Sequence, residues 1–185
     1  MWRLLLVMAA AMLVSGCVFT RESFTPVRYF DIGNPDPAKF AGIHLNVGQF
    51  SVAGPYRQEM VIRTVGNELV KDSFNRWALP PDAMLSRYFR IAFAEGRGRT
   101  DYTLSGSILS FEADLPKKEA VLTIEYRLVP PAEDTVAAAV EKTCTFRGKI
   151  EGNGAEAFAG AMSSAVAEFA NSLAGARAGT AVKTK

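Results

Sequence analysis

The segment Ala120–Val129 limits the possible folds more than any other part of the chain. Leu122, Ile124, Tyr126 and Leu128 fall on one side of an extended strand, and Thr123, Glu125 and Arg127 fall on the other. Side chains alternate across a strand with period two. Such a segment needs a core against one face and water on the other. The chain must therefore build a sheet with one dry face and supply something to cover it.

Other segments supply the rest of that sheet. Val27–Ile32 reads as a first strand ended by the turn cluster Gly33-Asn34-Pro35-Asp36-Pro37. Ile43, Leu45 and Val47 alternate with His44, Asn46 and Gly48, which predicts a half-buried strand. Met60–Val65 and Glu68–Phe74 flank Gly66-Asn67, a pair suited to a two-residue hairpin turn. In Tyr102–Ala113 the apolar phase changes, and a β-bulge between Ser107 and Ser110 accounts for it. A last strand over Val136–Ile150 puts Val140, Cys144, Phe146 and Ile150 on one face.

Two helices can cover the dry face. After Pro80-Pro81, with Asp82 as the expected cap, Met84, Leu85, Tyr88, Phe89, Ala92 and Phe93 form one apolar stripe, and Gly96 is the expected C-cap. Gly152-Asn153-Gly154 turns the chain into a second helix, about Ala155–Ala176, with the stripe Phe158, Met162, Val166, Phe169 and Leu173. The order strands, helix, strands, helix predicts an α+β domain: a single mostly antiparallel or mixed sheet with two helices packed on one face.

The N-terminus has a different character. Met1-Trp2-Arg3 is a short positive region, Leu4–Leu13 is uncharged and apolar, and Val14-Ser15-Gly16-Cys17 ends the run. That layout is a signal peptide, since a spanning helix needs roughly 20 apolar residues. The last four residues resemble the bacterial lipobox, in which the Cys17 sulfur takes a diacylglyceryl group once residues 1–16 are removed. Two or more acyl chains give a stable anchor where one does not. Val18–Pro26 is then a tether of at most about 30 Å, residues 27–177 are the domain and residues 178–185 a flexible tail.

With Cys17 lipidated, Cys144 is the remaining thiol of the two cysteines. It cannot form an intrachain disulfide, and its strand parity predicts a buried small hydrophobe. The formal charge of +2 gives no electrostatic case for nucleic acid. The single histidine, His44, stands on a polar strand parity without the companions that metal ligation requires. No cofactor or metal site and no catalytic constellation is legible. Gly152-x-Gly154-x-x-Ala157 matches part of a dinucleotide-binding turn, but no strand follows the helix, so the βαβ context fails. Gly96-Arg97-Gly98-Arg99 reads as a solvated basic turn.

Arg28-Tyr29-Phe30-Asp31-Ile32-Gly33 shortly after a lipobox, a hairpin carrying Ile62-Arg63 and Glu68-Leu69, and Arg76-Trp77-Ala78-Leu79-Pro80-Pro81 before a helix occur together here. This combination resembles the auxiliary lipoproteins of ABC-type transport systems, the PqiC/YmbA-like family, over about Val27–Leu173. The resemblance implies a non-enzymatic component anchored by lipid at the periplasmic face of the outer membrane. Its implied partners are MCE-domain proteins and ABC/permease components that move lipid between membranes. Val18 lacks the Asp that often retains lipoproteins at the inner membrane. The motif residues Trp77, Pro80 and Pro81 are expected to be structural, with the Trp77 ring between the sheet and the first helix. Two kinds of function stay open: an interaction protein, possible as a homo-oligomeric ring, that docks on a lipid-transfer channel, and a lipid-binding module with its own apolar cavity. Lipidation has a direct check. Cys17→Ala should move the protein from the detergent phase to the aqueous phase on phase partitioning, and unchanged partitioning would rule out the anchor.

Overall fold

The computed structural model of the chain describes residues 24–94, 102–131 and 138–180, with backbone alone for 176–180. Cys17 and the segment before it, Gly96, the Gly96–Arg99 loop and the first residues of the predicted last strand lie outside the described residues. Seven strands form one mixed sheet: β1 (Arg28–Phe30), β2 (Leu45–Val52), β3 (Glu59–Arg63), β4 (Leu69–Trp77), β5 (Tyr102–Asp114), β6 (Glu119–Val129) and β7 (Val140–Lys149). Two α-helices, α1 (Pro81–Ala92) and α2 (Gly154–Thr180), cover it, and a turn of 3-10 helix spans Pro37–Phe40.

β5 is the rail on which the sheet is assembled. β6 pairs antiparallel along its whole length, and β7 follows antiparallel on β6. On the other edge, β2 lies parallel to the first half of β5 and β3 parallel to its last residues, so β2 and β3 run end to end beside one strand. β4 pairs antiparallel with β3, and β1 adds in parallel at the edge. The sheet is therefore mixed, with its longest ladders, β5–β6 and β6–β7, antiparallel, as the sequence predicts. The crossover from β4 through α1 to β5 is what lets β5 run parallel to β2 and β3.

The two helices and the sheet meet at Phe169. Its ring lies 5.1 Å from Phe89 of α1, 5.3 Å from Tyr126 of β6 and 5.2 Å from Phe146 of β7. Every residue of both predicted helical stripes is buried, including Met84, Leu85, Phe89, Phe158, Met162, Val166 and Leu173. α2 also sits unusually close to β7. A Cβ on Gly148 would come within 1.8 Å of the Ala161 carbonyl oxygen, so backbone meets backbone there. The small residues Ala159, Ala161, Ala165 and Ala170, all buried, are how α2 comes so near the sheet.

Several local expectations change. α1 begins at Pro81, whose missing N–H suits the first helical position. Asp82 therefore lies inside the first turn and not at the cap, and the helix has no side-chain cap bond. The β3–β4 hairpin closes with the Thr64 N–H donating to the Glu68 carbonyl at 3.1 Å, which leaves a three-residue loop, Val65-Gly66-Asn67. The bulge in β5 lies between Ile108 and Ser110, inside the predicted interval. β2 extends to Val52 through a second register shift between Val47 and Phe50. Cys144 is half-buried, not buried, and Val140 is 40% exposed, because β7 is an edge strand whose first residues receive less cover from the helices. α2 continues to Thr180, beyond the Ala176 expected from the sequence.

Gly148→Ala tests the close approach. The added methyl cannot displace a helix backbone cheaply, so it should destabilise the domain by the upper end of the roughly 1–3 kcal/mol that overpacking costs. Denaturant unfolding would read this, whereas Gly160→Ala, with open space around its Cβ position, should not lose stability.

Candidate functional site

Two features distinguish the β3–β5 end of the domain. The first is an apolar cavity of about 350 Å³ on the helix face, where the cover given by α2 runs out. Met60 and Ile62 of β3, Ala113 and Leu115 at the end of β5, Ile150, and Ala155 and Phe158 at the start of α2 line it. Asp72, Asn75 and Lys118 form a polar border. The volume falls at the small end of the roughly 300–1,000 Å³ found for small-molecule sites. Two broader depressions are more polar or more open: one on the wet sheet face beside Ser105, Ser107 and Glu125, and one along α1 beside Arg87 and Arg90.

The Asp72 carboxylate is held inward by its own turn. It accepts hydrogen bonds from the Phe74 N–H at 2.9 Å, the Asn75 N–H at 2.9 Å and the Asn75 side-chain amide at 2.8 Å. Burial raises its pKa, but these three donors outweigh that and leave it below the usual carboxylate value. Lys118 holds a positive φ of 53°, and the β5–β6 turn closes with its N–H donating to the Leu115 carbonyl at 3.1 Å. The cavity thus has an apolar interior and a border of groups already engaged in their own turns.

The second feature lies on the opposite face of β5. Glu112, 3% exposed, accepts from the Tyr56 hydroxyl at 2.5 Å and from Arg63 Nε at 2.6 Å. Asp114, two residues on, accepts from the Lys117 backbone N–H at 3.2 Å and from its ammonium at 2.8 Å. The hydrogen bond from Lys117 is the main cause of a lowered Asp114 pKa. Burial, followed by the hydrogen bond to Glu112, pushes the Tyr56 hydroxyl up to about 12. A phenol at that value stays protonated at neutral pH and is no base, and both Glu112 oxygens are engaged. The cluster braces the break between β2 and β3, because Tyr56 sits in that break and Arg63 ends β3. Sequence reading did not find it. The available signal was Glu112 and Asp114 at alternate positions of one strand, opposite Phe111 and Ala113.

The residues singled out from sequence separate in space. Trp77 is 1% exposed, with its ring 5.1 Å from Phe111 of β5 and 5.3 Å from Phe158 of α2. It packs between the sheet and the last helix, because β4 delivers it to the region where α2 begins. Pro81 is buried at the start of α1 and Pro80 is half-buried before it. None of the three lines the cavity, although Trp77 backs it through Phe158. His44 is half-buried, and its Nδ1 has no hydrogen-bond partner. Among the described residues no group of three or more His, Cys, Asp or Glu could hold a metal ion, and no helix is long and apolar enough to cross a membrane.

A family profile described as the ABC-type transport auxiliary lipoprotein component matches residues 42–174. The chain belongs to this family. The match takes in β2 to most of α2, with the cavity, the Glu112 cluster and the Trp77 segment inside it. The family is that of a transport accessory. Two solved structures share the fold. One is an uncharacterised protein with a TM-score of 0.66 at 16% identity, covering 80% of this chain and 97% of its own. The other, from Xanthomonas campestris, has a TM-score of 0.60 at 22% identity, covering 80% of this chain and 92% of its own. No curated protein matches the chain significantly.

The Glu112 cluster makes stability pH-dependent at both extremes. Tyr56 has its pKa raised on folding, so its contribution is complete below the unfolded value of 10.0 and is lost as pH rises through about 12. Asp72 and Asp114 are lowered, so theirs is complete above the unfolded value of 3.8 and is lost as pH falls through the folded values. Tyr56→Phe should cost about 1.5–3 kcal/mol at pH 7, the range for a hydrogen bond to a charged group. It should also flatten part of the alkaline decline in melting temperature, the remainder coming from Tyr88 and Tyr126, which burial also raises.

Proposed function

We propose that this auxiliary lipoprotein is a non-enzymatic, lipid-anchored component at the periplasmic face of the outer membrane, serving the outer end of an ABC/MCE-type lipid transport pathway. The observation that carries this reading is the family match over residues 42–174, and the sequence Val14-Ser15-Gly16-Cys17, which resembles a lipobox, supports the anchor. A domain of this kind contributes position and contact. The anchor and a tether of at most about 30 Å keep it beside its membrane, and a partner must come to it there.

Two edges of the sheet suit such contacts. Among the described residues, the outer backbone groups of β1 and β7 have no strand partner. Edge strands of this sort accept further strands readily. Association of copies through a closed cyclic interface, or docking on an MCE protein, would use them.

The apolar cavity favours a second reading, a lipid-binding module in its own right. In that case lipid should co-purify with the domain and be visible by mass spectrometry. Ala155→Trp, placed in the cavity wall, should exclude it without unfolding the protein.

Site-specific photocrosslinking in cells distinguishes the two. A photoreactive residue at exposed Thr143 or Thr145 of β7 should capture a second copy or an MCE-domain protein. Absence of any transporter component among the products, together with a monomer by light scattering, would overturn the docking reading.

A further inference from the structure

The strand directions bring several separate features to one end of the domain. β5 and β3 run toward it, β4, β6 and α2 start there, and β7 finishes there. The loop after β3, the turn after β5 and the start of α2 therefore share that end. The chain also enters there: β1 is parallel to β4 with Arg28 opposite Asn75, so residues before Arg28 come from the side of Phe74 and Asp72.

Exposed apolar side chains gather at this same end. Val65 at the tip of the β3–β4 loop is 88% exposed and Leu115 in the β5–β6 turn is 51% exposed. Phe24, Val70 and Phe74 are also exposed. Single exposed apolar residues are ordinary, but two on loop tips beside the incoming tether, with an apolar cavity opening under Leu115, are a directional arrangement. The charges around them cancel. Lys117 is paired with Asp114 and Arg147 with Glu119, and exposed Glu68 and Glu151 offset Lys118 and Lys149.

We infer that this end of the sheet is a lipid-contacting surface, with Val65 and Leu115 set into the interfacial region of the bilayer that holds the anchor. The occupant is a lipid surface because the chain leaves the domain here toward Cys17, through a tether too short to turn the domain far from its membrane. The contact is apolar and does not select anionic lipid. It leaves the opposite end, where β2 and β5 begin, directed into the periplasm. The thirteen residues of β5 put that end about 40 Å away, at about 3.3 Å per residue. This inference rests on the anchor reading, and it orients the cavity so that its mouth meets acyl chains.

The test uses the intact lipidated protein, purified from membranes and reconstituted into phosphatidylcholine vesicles. Cys144→Ser removes the remaining thiol, and single cysteines Val65→Cys, Leu115→Cys and, at the far end, Asn46→Cys carry an environment-sensitive fluorophore. Bilayer contact should blue-shift the probes at 65 and 115, and nitroxide groups on the lipid acyl chains should quench them, while the probe at 46 is unaffected by either. Equal, unquenched emission from all three while the protein stays with the vesicles would overturn this orientation and leave the anchor standing. Loss of the protein from the vesicle fraction would overturn the anchor and the orientation together.

Discussion

The closeness of α2 to β7 is the contact on which the rest of the structure depends. Gly148 leaves no side chain between strand and helix, and Ala161 meets it with its backbone carbonyl. That approach lowers Phe169 into the space between Phe89, Tyr126 and Phe146, where it joins both helices to the sheet. It also sets Phe158 against Trp77, and so ties β4 to the far side of the core. A helix held off by one methyl group would lose dispersion contacts along its whole buried stripe, since these fall off steeply with separation. The Ala-rich composition of α2 is therefore a packing requirement.

The last residues of β5, Phe111–Asp114, are buried on both faces, and each face is managed differently. On the helix side Leu104, Ile108 and Phe111 meet apolar neighbours. On the other side Glu112 and Asp114 are taken out of water near the end of the strand. Burial of two carboxylates is tolerable only with donors already in place, and Tyr56, Arg63 and Lys117 provide them. The donors come from three connections: the β2–β3 break, the end of β3 and the β5–β6 turn. Pairing of two in-line strands with one long partner is thus secured by side chains at the point where the backbone ladder is interrupted. The Ala53 N–H donating to Ile108 and the Leu115 N–H donating to Arg63 complete the backbone on either side.

Period-based features were legible in the sequence because they are local. The stripes of α1 and α2, the alternation of β6 and the bulge of β5 all follow from the phase of apolar residues within one segment. Pairing was less legible. That β2 and β3 share an edge of β5 depends on a connection whose path no short window contains, and the parallel register follows from it. The contact of Trp77 with α2 was not legible for a similar reason: Pro80 and Pro81 link it to α1 in sequence, while Phe158 of the chain's last helix meets its ring. Glu112 was hidden among 19 acidic residues because its partners Tyr56 and Arg63 lie about fifty positions away. The cavity could not be read at all, since it is a gap left by the length and start of α2.

The edge strand β1 has a mechanical consequence. It lies lengthwise along β4, and the next residues are fixed by buried Ile32, whose carbonyl accepts from the Ser163 hydroxyl of α2. A pull on the chain before Phe24 acts along the strand axis. The three residue pairs of β1 are then loaded in shear, all at once, and are not peeled one after another. Ile32 and Ser163 act behind them as a stop. Tension applied there reaches α2 and the rim of the sheet first, while β5 and β6, at the centre, are shielded from it.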